Sequence, residues 1–223
     1  MKRVIVFDVN ETLLDVGALD PIFARMFNDA SVRREWFGQM LQSAFVSTIT
    51  GAYRDFGAIG ISALKMVAER HGVSPGDEDL AALRDGMRQL PPHPEVREAL
   101  EHLHSSGFRL ATLTNSTLEV SEAQLVNAGL HELMEQMLSA DSVHRLKPAP
   151  EPYRMAAERL GVTIGEIRLV AAHSWDIAGA LHAGCAGAFV ARPGQVLDPD
   201  GAQPDVIGSD IREIAERILA SDQ

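Results

Sequence analysis

Short β-branched or apolar runs, Val4–Phe7, Leu110–Leu113, Leu169–Ala172 and Ala188–Ala191, alternate along the chain with stretches of helical period. Runs of this length fit strands buried on both faces of a parallel sheet. Between them lie amphipathic stretches, including Val96–His104, Leu118–Ala128, Tyr153–Leu160 and Ile177–Ala183. Strands alternating with helices of this length build βαβ units, so the expectation is an α/β fold with a Rossmann-like, doubly wound parallel sheet. Ligands of such sheets bind beyond the carboxyl ends of the strands.

The alternation breaks between about Asp15 and Pro92. This region reads as helix throughout, with Ala63–His71 and Asp79–Gln89 as its clearest amphipathic pieces. It closes at "LPPHPEV", where prolines stop one helix and start another. The expected organisation is therefore a Rossmann-like core of residues 1–14 and 93–223, with residues 15–92 inserted as a helical cap over the strand ends. The loop "PGQVLDPDGAQPD" then feeds a last short strand and a helix, Ile211–Ala220.

Bulk properties exclude several classes. A net charge of −11 over 223 residues argues against nucleic acid as a partner, because a phosphate-backbone binder needs a basic face. It does not bar a small anionic substrate, since one buried cation reverses the local sign. The single cysteine, Cys185, excludes disulfides within the chain and a CxxC metal site, and its small-residue apolar setting marks a buried structural thiol. The apolar run of "MKRVIVFD" is too short for a signal-peptide core, and no run approaches a membrane span. A cytoplasmic protein without membrane partners is the simplest expectation.

Polar clusters stand at the predicted strand ends. Asp8, Asn10 and Thr12 follow the first strand, and Thr114, Asn115 and Ser116 the second; Lys147 and Tyr153 lie in "RLKPAPEPY", and His173, Trp175 and Asp176 in "AAHSWD". Taken singly each has a bland reading: Asp8 and Asp176 as helix N-caps, "TNS" as a turn, Lys147 as a surface charge. Together, all at the functional rim of one sheet, they point to an active site.

With these residues in order, the chain resembles the haloacid dehalogenase superfamily, whose first motif is a strand ending in an aspartate nucleophile followed by "xxxT". Asp8, Thr114/Asn115, Lys147 and Asp176 match the order of its four motifs across the core. The resemblance implies that Asp8 forms an ester that is then hydrolysed. It further implies that Lys147 keeps Asp8 ionised and offsets substrate charge. Thr114 and Asn115 would donate to substrate oxygens, Thr12 would complete the nucleophile motif, and Asp176 would orient Lys147 or a water.

Phosphotransferring members carry a second Asp two residues after the nucleophile, and a magnesium-binding acid four residues before the last motif aspartate. Here those positions are Asn10 and Ala172. Neither replacement supplies a proton relay or a carboxylate for a hard cation. Both absences fit the metal-free L-2-haloacid dehalogenase branch, whose halide leaving group needs no proton. No cofactor and no metal are implied. Tyr153, "SWDIAGA" with Trp175 on the pocket wall, and "YRDFGAIGISAL" resemble that branch further.

Three departures from its pattern stand out. Phe37, in "WFGQMLQ", takes the place of the halide-binding arginine, for which Arg33, Arg34 and Arg54 are the nearby substitutes. His173 replaces an asparagine, as a donor to halide or carboxylate, a base for the hydrolytic water, or a satisfied core histidine. Ala171 replaces a serine. The resemblance implies hydrolysis of short 2-haloalkanoic acids to inverted 2-hydroxy acids. A phosphatase or phosphonatase-like hydrolase, and a non-catalytic binding protein, are the alternatives. Homodimers are common in the branch, though no stretch of this sequence marks an interface.

Overall fold

The computed structural model describes residues 2–222. Six parallel strands form one sheet in the order β3-β2-β1-β4-β5-β6. They are β1 (Val4–Phe7), β2 (Leu110–Thr114), β3 (Gln136–Ser139), β4 (Ile167–Ala171), β5 (Ala186–Val190) and β6 (Val206–Gly208). The strand order reverses around β1, which pairs with β2 on one side and β4 on the other, so Phe7 sits in register with both Thr112 and Val170. This switch point is where an open α/β sheet leaves a crevice.

All four apolar runs are strands, and the short strand expected after the Pro/Gly/Asp loop is β6. The sequence reading lacks β3. Its residues, QMLS, include no β-branched side chain, and the strand is a half-buried edge, so its apolar signal is weak.

Alternate residues of β1 feed different cores. Ile5 and Phe7 pack with α5 (Val96–Ser105) and α9 (Ile211–Ser221) residues such as Leu100 and Ile214. Val4 and Val6 pack with Tyr153 and Ala156 of α7 (Pro150–Leu160) and Ile177 of α8 (Ser174–Ala183). With both faces covered, every β1 residue is buried, and each large aliphatic removed from water contributes about 1.5–3 kcal/mol. Cys185 is buried in the second cluster, and burial pushes its thiol up to about 12. The α6 helix (Leu118–Asn127), N-capped by Thr117, covers the β2–β3 side.

Between β1 and α5 the chain is helical: α1 (Asp20–Phe27), α2 (Val32–Thr50), α3 (Phe56–Arg70) and α4 (Asp77–Arg88). Asp55 starts α3 by accepting from Ala58 N at 2.8 Å. This segment leaves and rejoins the sheet region at one place. Leu14 bridges Pro92 antiparallel, Asp15 N donates to Pro91 O at 2.8 Å, and His93 N donates to Leu13 O at 3.0 Å. Among the described residues no helix is long and apolar enough to cross a membrane.

Candidate active site

β1 ends at Phe7, and Asp8 continues its line by donating its N–H to Val170 O at 2.9 Å. The chain then turns sharply. Leu13 N and Leu14 N both donate to Val9 O, and Glu11 adopts φ 62, a left-handed conformation that non-glycine residues adopt at a cost. The turn brings Thr12 back over Asp8, where its hydroxyl donates to Asp8 Oδ2 at 2.8 Å while accepting from Ala172 N at 3.0 Å.

Lys147 approaches from the loop before α7 and has no exposed surface. Its ammonium donates to Asp8 Oδ1 at 2.9 Å, Asp176 Oδ2 at 2.6 Å and Leu113 O at 2.8 Å, which uses all three protons. Asp176 also accepts from Tyr153 OH at 2.5 Å. Burial alone would protonate Asp8, but Lys147, together with the nearby His173, holds its carboxyl well below the usual carboxylate range. Asp176 is raised, first by burial and also by the charge of Asp8, with Lys147 opposing. Lys147 is itself raised: the two carboxylates overcome the desolvation that acts against its charge. The outcome is an ionised nucleophile candidate in a buried niche.

The Tyr153–Asp176 contact needs α7 and α8 to approach closely, and Gly179 permits it. A Cβ at Gly179 would lie 2.6 Å from Pro148 Cβ and 2.7 Å from Tyr153 OH. Gly179→Ala is therefore expected to destabilise the protein by about 1–3 kcal/mol through overpacking. Urea denaturation of the variant against the parent checks this, with an unchanged midpoint as the contrary result.

The remaining anticipated residues are used in different ways. Asn115 is bonded reciprocally to the Lys147 main chain, its Oδ1 accepting from Lys147 N at 2.8 Å and its Nδ2 donating to Lys147 O at 3.3 Å. This fixes the lysine loop and leaves one Asn115 Nδ2–H outside the pair of bonds. Asn10 is likewise engaged: Nδ2 donates to Ser116 Oγ at 3.3 Å and Oδ1 accepts from Gln124 at 3.0 Å. The Thr114 hydroxyl oxygen accepts from Ser116 N at 3.2 Å. Ala172 presents a methyl group and a backbone N–H already given to Thr12, so magnesium would find no second carboxylate there.

His173, the residue just before α8, stands between Asp8 and a cavity of about 580 Å³ lined by Glu11, Arg33, Phe37, Trp175 and Gln195 among others. Its ring stacks between Phe37, centroids 5.8 Å apart, and Trp175, 5.2 Å apart. Phe37 thus packs against the imidazole from α2 where an arginine was the family expectation. Of the three candidate substitutes, Arg33 turns inward, where its guanidinium is paired with Asp20 and lies 3.8 Å from Glu11. Arg34 is exposed at the cavity rim, and Arg54 is exposed and bonded to Ser62 Oγ.

Glu11 escaped the sequence reading. Its Oε2 meets His173 Nε2 at 2.8 Å and accepts from Gln195 Nε2 at 2.9 Å. The other imidazole nitrogen, Nδ1, lies 3.5 Å from Asp8 Oδ2 and makes no hydrogen bond. Burial disfavours the imidazolium, yet Asp8 and Glu11 on its two edges lift its pKa to about 9. "DVNE" reads locally as a capping pattern, and only contacts with positions 173 and 195 give the glutamate another part.

Comparison with known proteins shows the family of the chain. A haloacid dehalogenase-like hydrolase family model matches residues 2–184. The chain is 28% identical over 214 residues to (S)-2-haloacid dehalogenase 2 of Pseudomonas sp. (strain CBS-3), covering 95% of this chain and 93% of that one. It is 30% identical over 187 residues to (S)-2-haloacid dehalogenase 4A of Burkholderia cepacia, covering 80% and 78%. The structure of L-2-haloacid dehalogenase from Xanthobacter autotrophicus with chloropropionic acid covalently bound is similar over the whole of both chains, with a TM-score of 0.92 at 23% identity, a likeness of fold.

Proposed function

Since the chain belongs to the haloacid dehalogenase-like hydrolases, we propose that it cleaves the carbon–halogen bond of short 2-haloalkanoic acids, giving inverted 2-hydroxy acids through an ester on Asp8. One observation carries the reading. A buried carboxylate is kept ionised by a lysine 2.9 Å away, and the residue two places on is an amide held through both its nitrogen and its oxygen, not an acid. Such a centre can displace a leaving group that departs as an anion, and the position two residues after the nucleophile supplies no acid or base for phosphoryl transfer.

In this mechanism an Asp8 oxygen attacks C2 from the side opposite the halogen, and the halide leaves with the bonding electrons. Thr12 and Lys147 position the carboxylate, while Asp176 and Tyr153 hold the lysine. Water then attacks Cγ of Asp8 and releases the hydroxy acid. Residues 15–92 act as a cap whose α2 contributes Phe37 to the wall shared with Trp175. The enzyme works on a small anionic substrate in the cytoplasm and needs no metal.

The test is halide release from 2-chloropropionate compared with phosphate release from p-nitrophenyl phosphate, each with magnesium and with chelator. Halide release unchanged by chelator is expected. Phosphate release that requires magnesium would replace this reading with a phosphatase, and inertness toward both would leave a binding protein.

A further inference from the structure

Asp8, His173 and Glu11 form a row in which an imidazole stands edge-on between two carboxylates. Nε2 meets Glu11 at 2.8 Å, whereas Nδ1 faces Asp8 at 3.5 Å and has no hydrogen-bond partner although it is buried. A buried ring nitrogen without a partner is costly unless it has work at another stage. Glu11 is fixed by more than this contact. Gln195, from the loop after β5, donates to the same oxygen, and Arg33 from α2 lies 3.8 Å from the other. The left-handed backbone at Glu11 turns the side chain to this place.

We infer that His173 and Glu11 are the pair that activates the hydrolytic water, and that esterification of Asp8 switches the pair on. This deepens the dehalogenase reading and rests on it. A carboxylate that orients an imidazole, and stabilises the imidazolium it becomes, is the arrangement that makes histidine an effective base. Here the imidazole begins with its proton, held there by both anions.

Displacement turns Asp8 into a neutral ester, and the ring keeps Glu11 alone as anionic neighbour. Its Nδ1 proton then leaves for solvent by way of the cavity His173 lines. Glu11 retains the proton on Nε2, so the lone pair is on Nδ1, the nitrogen that faces the ester. Nδ1 takes a proton from a water as the water oxygen bonds to Cγ of Asp8. The Cγ–O bond to the substrate breaks, the leaving alkoxide takes the proton from Nδ1, and the new Asp8 carboxylic acid returns its own proton to the imidazole. The sum is one haloacid and one water converted to one hydroxy acid, one halide and one released proton.

Other groups near the ring act as a fixed background. Lys147 and Asp176 lie beyond Asp8, while Arg33, Arg34, Arg192, His93 and Asp15 share the cavity. Phe37 and Trp175, stacked on the faces, are neutral. Of all these neighbours, Asp8 is the one whose charge disappears during turnover.

Two measurements test the switch. Asp8→Asn mimics the uncharged ester, and an NMR titration of labelled histidine, assigned with His173→Asn, should find the His173 pKa down from about 9 by roughly 1–3 units. Rapid quench with 2-chloropropionate should show Asp8 ester accumulating in His173→Asn, its hydrolysis slowed on the order of 10²–10⁴-fold. In Glu11→Gln the amide oxygen still accepts from Nε2 but carries no charge, so the pH profile of ester hydrolysis should move to lower pH. A purely structural contact would leave that profile in place. An unchanged His173 pKa in Asp8→Asn, or no ester build-up in His173→Asn while the parent forms and hydrolyses its ester, overturns the inference. If the parent itself releases no halide and gains no ester, the dehalogenase reading falls and this step falls with it, whatever the titration shows.

Discussion

Asp8→Asn is expected to lower halide release by on the order of 10⁴-fold or more, because it removes the attacking charge and nearly keeps the shape. The amide oxygen can still accept from Lys147 while the amide NH2 turns to donate to the Thr12 hydroxyl oxygen, so the circular dichroism spectrum should stay that of the parent. The positive counterpart is isotopic. When the parent turns over once in heavy-oxygen water, the water oxygen enters at Cγ and stays in the Asp8 carboxylate, so mass spectrometry should find the label in the peptide carrying Asp8. A label confined to the hydroxy acid would mean direct attack by water on C2, and the ester route would be abandoned.

The second large effect belongs to Lys147. Its ammonium is shared by two buried carboxylates, Asp8 and Asp176, and is itself wholly buried. Lys147→Met keeps the stem and removes the charge, leaving two anions facing each other without a cation, at a cost of about 3–5 kcal/mol. The pH dependence has a definite sign. Asp8 is depressed in the parent, so its contribution to stability is present above the ordinary carboxylate value of 3.8 and lost as pH falls toward its lowered value. In the variant that depression is gone and protonation relieves the repulsion. The stability gap should therefore be widest near neutrality and narrow on acidification, as urea midpoints measured at pH 7 and pH 4 would record. A gap independent of pH would show that packing of the stem, not charge, is what Lys147 supplies.

Much of this was legible in the chain because strands buried on both faces leave an unbroken apolar run. Val4–Phe7 announces both the strand and the aspartate that ends it. The edge strand Gln136–Ser139 has one neighbour and a half-exposed start, so nothing in its composition forces the assignment. The motif residues Asp8, Lys147 and Asp176 were readable because their chemical types recur at strand ends, and the structure brings them within hydrogen-bond reach of one another. What each neighbour does was less readable. That Asn115 also clasps the Lys147 backbone is visible only in the fold. Glu11 looks like an ordinary loop acid until residues 162 and 184 positions away meet its carboxylate. Such parts are set by long-range closure of the sheet, which local pattern does not encode.

The two-rung ladder at Leu13–Asp15 and Pro91–His93 has a consequence for how such a protein can change. The helical excursion departs and returns through neighbouring backbone groups, so its main chain joins the sheet region at one place, and side-chain contacts such as Phe37 on His173 and Gln124 on Met87 O hold it from there. Closing a longer or shorter excursion on the same rungs alters the chain entropy little, since doubling a loop costs only about 0.6 kcal/mol. The excursion can thus change in length while Asp8, Lys147 and Asp176 keep their places, provided that Arg33 and Phe37 keep their contacts with Glu11 and His173. A change in the length of the excursion meets only the two rungs, whereas a change in the pocket wall is felt by Glu11 and His173.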